Sequence, residues 1–402
     1  MNTLTVIGAG PGDRSMMLPA AAKKIEEADI VIADRRYVSV IAHKDVRPMG
    51  KISEMTAVFD CLCQNHKVAV VVSGDPLMYS LYKTIRKQLP DIEIEVIPGI
   101  GSIQLFAARL GETLEDAVFL SAHGRNLSEG RLALMADKHE KVFILCDKIH
   151  GPAWIARVLC GCGLEYVDMW AAENLSYENE KIVSGRPEDF ISLEFESLCV
   201  VCLKNRQAVP EKILRAPALL SDEDFIRGKT PMTKEEIRWL ILGKLKLTKE
   251  AVVWDIGAGT GAVSVECARQ CPFGQVYAVE KDEKALELIE KNKKKFHACN
   301  LKIVPGQAPE SIRTLPVPTH VFIGGSGRAI EAIIDEVIGA GPGITVMAAC
   351  VTVETTAQAA VCFKKLEDVQ MIQAGICRSR PLGGYHIWDP HNPITLMVGR
   401  TV

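Results

Sequence analysis

Short β-branched runs alternate with amphipathic stretches along almost the whole chain, and that rhythm leaves few folds open. In the first half the runs are LTVIGAG (4–10), DIVIAD (29–34), VAVVVSGD (68–75), IEIEVIPG (92–99), AVFLSAHG (117–124), KVFILCD (141–147) and SLCVVCL (197–203). Runs of this kind, bounded by glycine, proline or aspartate, read as strands. Between them lie stretches of helical periodicity, 18–28, 77–89 and 102–110 among them. Strand and helix in alternation define an α/β protein. The rhythm breaks near Gly111–Asp116, which divides this half into two lobes. It stops over 204–225, where Pro210 and Pro217 interrupt a segment with no strand pattern. A second run follows, with strands expected at 252–259, 275–280, 301–306, 320–325, 344–350, 369–375 and 393–399. Helices are expected at 234–246, 261–270, 283–296, 327–338 and 355–366. Only RSRPLGGYHIWDPHN separates the last two strands, so an antiparallel closing hairpin is expected. The reading is a first domain over 1–205, a linker over 206–220 and a second domain over 221–402.

Two domains suit 402 residues. With 48% hydrophobic and 24% charged residues, each has the material for a core, and disorder is excluded. The longest uncharged run, Val337–Val353, is broken by Gly339, Gly341, Pro342 and Gly343, so a membrane span is not expected. The start, MNTLTVIGAGPGD, has no basic n-region or long apolar h-region, which points to a cytoplasmic protein. The net charge of −3, with −4 over residues 1–220 and +1 over 221–402, argues against nucleic acid as a partner. Thirteen cysteines are expected as free thiols. Cys199 and Cys202, three apart on a strand, point to opposite faces. Cys61/Cys63 and Cys160/Cys162 are too tightly spaced for a zinc pair, so no metal site is expected.

The sharpest motif is Asp255-Ile256-Gly257-Ala258-Gly259-Thr260-Gly261, which follows a strand and opens a helix. Glycines there allow a tight turn and close backbone approach to a ligand. Glu280 ends the next strand, placed to accept ribose hydroxyls. The motif alone fits a nicotinamide dinucleotide or S-adenosylmethionine equally. Asp255 separates them: a carboxylate two residues before the first glycine repels a pyrophosphate but suits a ligand that carries an ammonium and a sulfonium. The segment resembles the class I S-adenosylmethionine methyltransferases. Gly306-Gln307-Ala308-Pro309 fits that family's adenine-contacting position.

The first half carries three loops, each after a strand: Gly8-Ala9-Gly10-Pro11-Gly12-Asp13, Ser73-Gly74-Asp75-Pro76 and Pro98-Gly99-Ile100-Gly101-Ser102. Taken together they resemble the tetrapyrrole methylases, which bind the same methyl donor between two α/β lobes. Tyr79, His123-Gly124-Arg125 and Glu173-Asn174 fall where members of that family have cleft-facing loops. The order of the halves, with DEDFIRGKTPMTKEEIR (222–238) at the junction and GGSGR (324–328) after a strand, resembles the two-domain methyltransferases of cobalamin biosynthesis. That resemblance implies methylation of a precorrin or cobalt-precorrin at C5 by the first domain. It implies methylation at C15, with decarboxylation of the ring C acetate, by the second.

The resemblance further implies S-adenosylmethionine contacts at Pro11, Ser73, Gly74, Asp75, Met78, Gly101, Ser102, Cys146 and Gly185. In the second domain it implies Thr233, Gly257 to Gly261, Glu280 and Ala308, beside the Asp255 read above. A polycarboxylate substrate calls for arginine, which grips carboxylate bidentately. Arg227, Arg238, Arg328, Arg378 and Arg380, with Lys229, are the candidates. No acid or base stands out, which suits a reaction governed by proximity and orientation. A homo-oligomer is expected. The competing readings are an inert binding module in one half, and an oxidoreductase.

Overall fold

The computed structural model describes residues 3–50, 58–59, 62–122, 127–208, 219–326 and 328–402. Its contacts divide the chain into two compact units. One comprises Met1–Leu127, His139–Arg157 and Tyr166–Ala208; the other comprises Ser128–Lys138, Val158–Glu165 and Val209–Val402.

The first unit holds two sheets. Strands β1 (Thr3–Gly8), β2 (Ile30–Ala33), β3 (Val46–Pro48), β4 (Val68–Val72) and β5 (Glu93–Ile97) form a parallel sheet ordered β3-β2-β4-β1-β5. Every residue of β4 is buried, as expected of a parallel strand covered on both faces. Helices α1 (Pro19–Glu27), α2 (Tyr82–Gln88) and α3 (Ser102–Leu110) alternate with these strands. Helix α3 stops at Gly111, whose left-handed backbone (φ 68°) lets its N–H close on Ala107 and Ala108. The second sheet begins just beyond that stop, where the strand rhythm breaks.

That sheet contains β6 (Val118–Ser121), β7 (Lys141–Leu145), β8 (Asp168–Glu173), β9 (Lys181–Gly185) and β10 (Cys199–Lys204), ordered β6-β7-β10-β8-β9. Only β6 and β7 run parallel. Helices α4 (Glu129–Lys138), α5 (Pro152–Gly161) and α6 (Pro187–Phe190) lie in this stretch of chain.

The second unit is built on seven strands. They are β11 (Val252–Ile256), β12 (Gln275–Glu280), β13 (Leu301–Pro305), β14 (His320–Ile323), β15 (Thr345–Cys350), β16 (Glu367–Ala374) and β19 (Ile394–Arg400). The order is β13-β12-β11-β14-β15-β19-β16. The first five are parallel, and β19 is antiparallel to both β15 and β16. The segment expected as a plain connection between β16 and β19 is instead a hairpin, β17 (Cys377–Leu382) and β18 (Tyr385–Pro390), turned at Gly383-Gly384. Helices α7 (Glu235–Leu245), α8 (Ala262–Gln270), α9 (Glu283–Lys295), α10 (Ile330–Ala340) and α11 (Val353–Cys362) complete the unit. Helix α9 starts on Asp282, whose carboxylate accepts the Ala285 N–H, and ends on Lys293–Lys295, complementing its dipole at both ends. The sheet reverses direction of growth at β11, so a crevice opens beyond the C-terminal ends of β11 and β14.

The cysteines depart from expectation at one pair. Cys162 and Cys299 are joined as a disulfide. Cys146, Cys199, Cys202, Cys267, Cys271, Cys350 and Cys362 are free and buried, and Cys377 is free and exposed. Among the described residues no helix is long and apolar enough to cross a membrane.

Candidate active sites

In the first unit the three glycine loops leave β1, β4 and β5, which are neighbours, and they meet. Gly10 (φ +85°) and Gly74 (φ +66°) use left-handed backbone, and the Gly74 N–H donates to the Gly10 carbonyl at 2.7 Å. Tyr37 donates its hydroxyl to the same carbonyl at 2.8 Å. A Cβ on Gly8 would lie 2.5 Å from the Gly74 oxygen and 2.6 Å from the Gly99 nitrogen. Asp75 fastens the third loop: one carboxylate oxygen accepts the Gly99 N–H at 3.2 Å and the other accepts Leu77 N–H at 2.8 Å. Gly101 and Ser102 then open helix α3, whose first N–H groups have no helical partner. Pro11 is buried, and Ser73 and Met78 are partly exposed beside these loops.

The second sheet of this unit reaches the cluster through the loop after β8. Ser176 Oγ accepts the Asp13 N–H at 2.9 Å, and Tyr79 donates to the Phe119 carbonyl at 2.6 Å. Cys199 is level with Glu173 at the end of β8, and Cys146 donates its N–H to Cys199. Cys146 therefore sits at the end of the sheet that faces the loops. Burial pushes its thiol well above the usual range, so it is no nucleophile. Gly185 is a correction. It is level with Met169, four residues from the Glu173 end and so about 13 Å away at 3.3 Å per residue. The structure does not bring Gly185 to the cluster. His123, Gly124 and Arg125 lie outside the described residues.

In the second unit one loop does most of the shaping. Gly257, Gly259 and Gly261 all have positive φ (74°, 58° and 77°). A Cβ on Gly257 would lie 2.5 Å from the Gly325 oxygen, so the loops after β11 and β14 touch through backbone. Glu280 braces the turn: it accepts the Gly259 N–H at 2.8 Å, and its other oxygen accepts the N–H groups of Lys281 and Asp282. A carboxylate takes about four hydrogen bonds, so one acceptor position stays open. Ala258 is partly exposed, while Thr260 is buried and gives its carbonyl to Asn292.

Asp255 lies beneath this loop, 1% exposed. One of its oxygens accepts the Ser264 hydroxyl, and the other is buried with no hydrogen-bond partner. Burial raises its pKa to about 7. Two pockets open above. One, of about 210 Å³, gathers Gly257, Glu280, Gln307 and Ala308. The other, of about 320 Å³, is lined by Arg328, Thr352 and Thr355, and the two share Gly325 and Ser326.

The five arginines part company. Arg238, a candidate for gripping a substrate carboxylate, is 0% exposed and locked to Asp222, so it is not available to a substrate; residue type does not reveal burial. Arg378 is spent on three carboxylates, those of Glu236 (2.6 Å), Asp222 (3.3 Å) and Glu235 (3.5 Å). Arg328 lines the larger pocket. Arg227 and Arg380 are exposed. Sequence reasoning missed Tyr37, Ser176, Ser264 and Asn292, which hold loop backbone or Asp255 and leave no motif.

Each of the two α/β units carries backbone loops shaped by glycine at the ends of its strands, and the comparisons identify both as methyltransferase domains. Family models match both halves: Tetrapyrrole (Corrin/Porphyrin) Methylases over residues 3–190 and Precorrin methyltransferase domain over 224–400. The chain belongs to these two families, joined in one polypeptide. It is 29% identical over 402 residues to a precorrin-6Y C(5,15)-methyltransferase [decarboxylating] from Sinorhizobium sp, covering 98% of this chain and 95% of that one. Two separate proteins of Salmonella typhimurium match the halves. The cobalt-precorrin-7 C(5)-methyltransferase is 31% identical, over 50% of this chain and 100% of its own. The cobalt-precorrin-6B C(15)-methyltransferase (decarboxylating) is 37% identical, over 44% of this chain and 92% of its own.

Proposed function

We propose that this chain methylates a precorrin, or its cobalt form, at C5 in the first unit and at C15 in the second, with loss of the ring C acetate carboxyl as carbon dioxide. The observation that carries this is the presence of two complete glycine-loop sites in a chain that matches a C5,15-methyltransferase along its whole length. The methyl donor is S-adenosylmethionine, which supplies an electrophilic methyl group when bound. The second unit fits it on three counts. Gly257 leaves room where a Cβ would collide, Glu280 keeps an acceptor position beside a pocket, and Asp255 has an oxygen without a partner.

In this reading the chain positions the donor and substrate and does little covalent chemistry. Glu280 accepts a ribose hydroxyl, and backbone at Gly257 and Ala308 borders the adenosine. Asp255 lies beneath the loop, where the positive charge of a bound donor favours release of its proton. Arg328 holds a carboxylate of the macrocycle beside Gly325 and Ser326, with Arg227 and Arg380 as outer contacts. In the first unit Pro11, Ser73, Gly74, Asp75, Met78, Gly101, Ser102 and Cys146 surround the donor. For decarboxylation, the electron pair of the breaking C–C bond passes into the conjugated ring once a ring nitrogen is protonated, so no protein electron sink is required. The test is incubation of the full chain with S-adenosylmethionine and precorrin-6B or its cobalt form, read by mass spectrometry. A gain of two methyl groups with loss of one carbon dioxide is expected. A product with a single methyl, or none, overturns the reading.

A further inference from the structure

Among the described residues of the second unit Arg238 is the most deeply buried cation, and its hydrogen-bond partners lie in one stretch of chain. Nη1 donates to Asp222 Oδ1 at 2.7 Å and to the Thr233 carbonyl at 2.6 Å; Nη2 donates to the Leu220 carbonyl at 2.7 Å. The guanidinium carbon lies 4.7 Å from the Phe225 ring centroid. A buried guanidinium is tolerable only while its charge is paired, so Leu220, Asp222 and Thr233 cannot move away singly. The same stretch is tied a second time. Asn292 of α9, 0% exposed, accepts the Ile226 N–H at 2.8 Å and donates to the Ile226 carbonyl at 3.1 Å. It also donates to the Thr260 carbonyl at 2.9 Å, inside the glycine loop. Between these anchors, the Pro231 carbonyl lies 3.2 Å from the place a Cβ on Gly259 would take.

We propose that residues 220–234 form a strap fixed against the glycine loop, with Arg238 and Asn292 as positioning residues for the methyl donor in the second unit. Arg238 sets the shape of the strap, and so the place of Thr233. Asn292 joins strap and loop into one body through a single side chain. The loop is thereby organised before the donor arrives, which spares the ordering cost that binding otherwise carries. This inference rests on the reading that the glycine loop of the second unit binds the donor. A lysine cannot replace Arg238, because one ammonium does not reproduce a planar fork aimed at three oxygens.

The test is calorimetric titration of the full chain with S-adenosylhomocysteine, comparing wild type, Arg238→Lys and Asn292→Ala, alongside the unliganded melting midpoint. Wild type should show two sites. In each variant one site should keep its affinity while the other weakens by about 10- to 100-fold, as misplacement of a loop commonly does. Folded variants with both sites at wild-type affinity would overturn the proposal, even with a lowered midpoint, since that is what a purely structural role predicts. Absence of the second site in wild type would instead remove the reading of the loop itself. Hydrogen exchange on the unaltered chain needs no variant: the ligand should protect 222–234 and 257–261 together, and protection of the loop without the strap counts against the proposal.

Discussion

In the first unit three loops leave adjacent strands and press glycine on glycine, Gly8 against Gly74 and Gly99. In the second unit one loop carries three left-handed glycines, and two side chains from elsewhere, Glu280 and Asn292, hold it. Backbone packed on backbone dominates the first site, beside braces from Asp75 and Tyr37; side chains bound to backbone dominate the second, beside the contact of Gly257 with Gly325. Backbone contact tolerates no added atom, so that site should fail abruptly. A site held by side chains should weaken in steps as each brace is removed.

The largest effect is expected at Gly99. A Cβ there would lie 2.3 Å from the Gly74 oxygen and 2.8 Å from Gly8 backbone atoms, none of which can swing aside. Gly99→Ala should remove one of two S-adenosylhomocysteine sites seen by calorimetry and abolish methylation at C5, with the C15 product retained. Two intact sites in that variant would break the comparison.

The next is graded. Glu280→Ala strips a charged acceptor from Gly259, Lys281 and Asp282 as well as from the proposed ribose contact. Loss of a hydrogen bond to a charged group costs roughly 1.5–3 kcal/mol, so affinity at the second site should fall by about one to two decades. Unchanged affinity would reduce Glu280 to a strand-end residue.

A smaller effect is expected from Asp255. Its folded pKa of about 7 lies above the value near 4 of an unfolded aspartate, so the folded unit holds a proton that the unfolded chain releases. Stability of the second unit should therefore decline as pH rises from about 4 through about 7 and level off above. Asp255→Asn should flatten that slope in melting midpoints taken without ligand. A slope of opposite sign in wild type would mean the carboxyl is ionised and stabilised by a partner.

Least is expected of Arg378→Ala. One of its three carboxylate partners, Asp222, is also held by Arg238, and its own side chain is 36% exposed, where solvent screens the pairs. Both donor sites should titrate as in wild type. A weakened second site would show that the β17–β18 hairpin also braces it.

Strands β1, β2, β4, β5, β6, β7 and β10 of the first unit, and the parallel core of the second, were legible because β-branched runs bounded by glycine, proline or aspartate are hard to read otherwise. Strands β3, β8 and β9 were not. DMWAAE lacks β-branched residues, and β8 exists because β10 and β9 flank it on both sides. The hairpin β17–β18 was hidden by Pro381 and two glycines, which read as loop although Gly383-Gly384 is itself a hairpin signal. At the sites, the glycines and Glu280 announce themselves through spacing. Arg238 misled, because its charge is visible in sequence and its burial is not. Asn292, Ser264 and Tyr37 were silent, since each acts on loop backbone or a buried carboxyl from a distant part of the chain.

The insertion of β19 between β15 and β16 bears on how the second unit assembles. Strand β16 is synthesised before β19, yet its neighbour in the finished sheet is β19. Until residues 394–400 leave the ribosome, β15 presents an open edge and β16 is the nearest strand able to cover it. A direct β15–β16 pairing would satisfy both strands for a time, but it occupies the slot that β19 must take and has to unzip before the sheet can close. Closure of the sheet therefore waits for residues 394–400 to enter between two strands made before them.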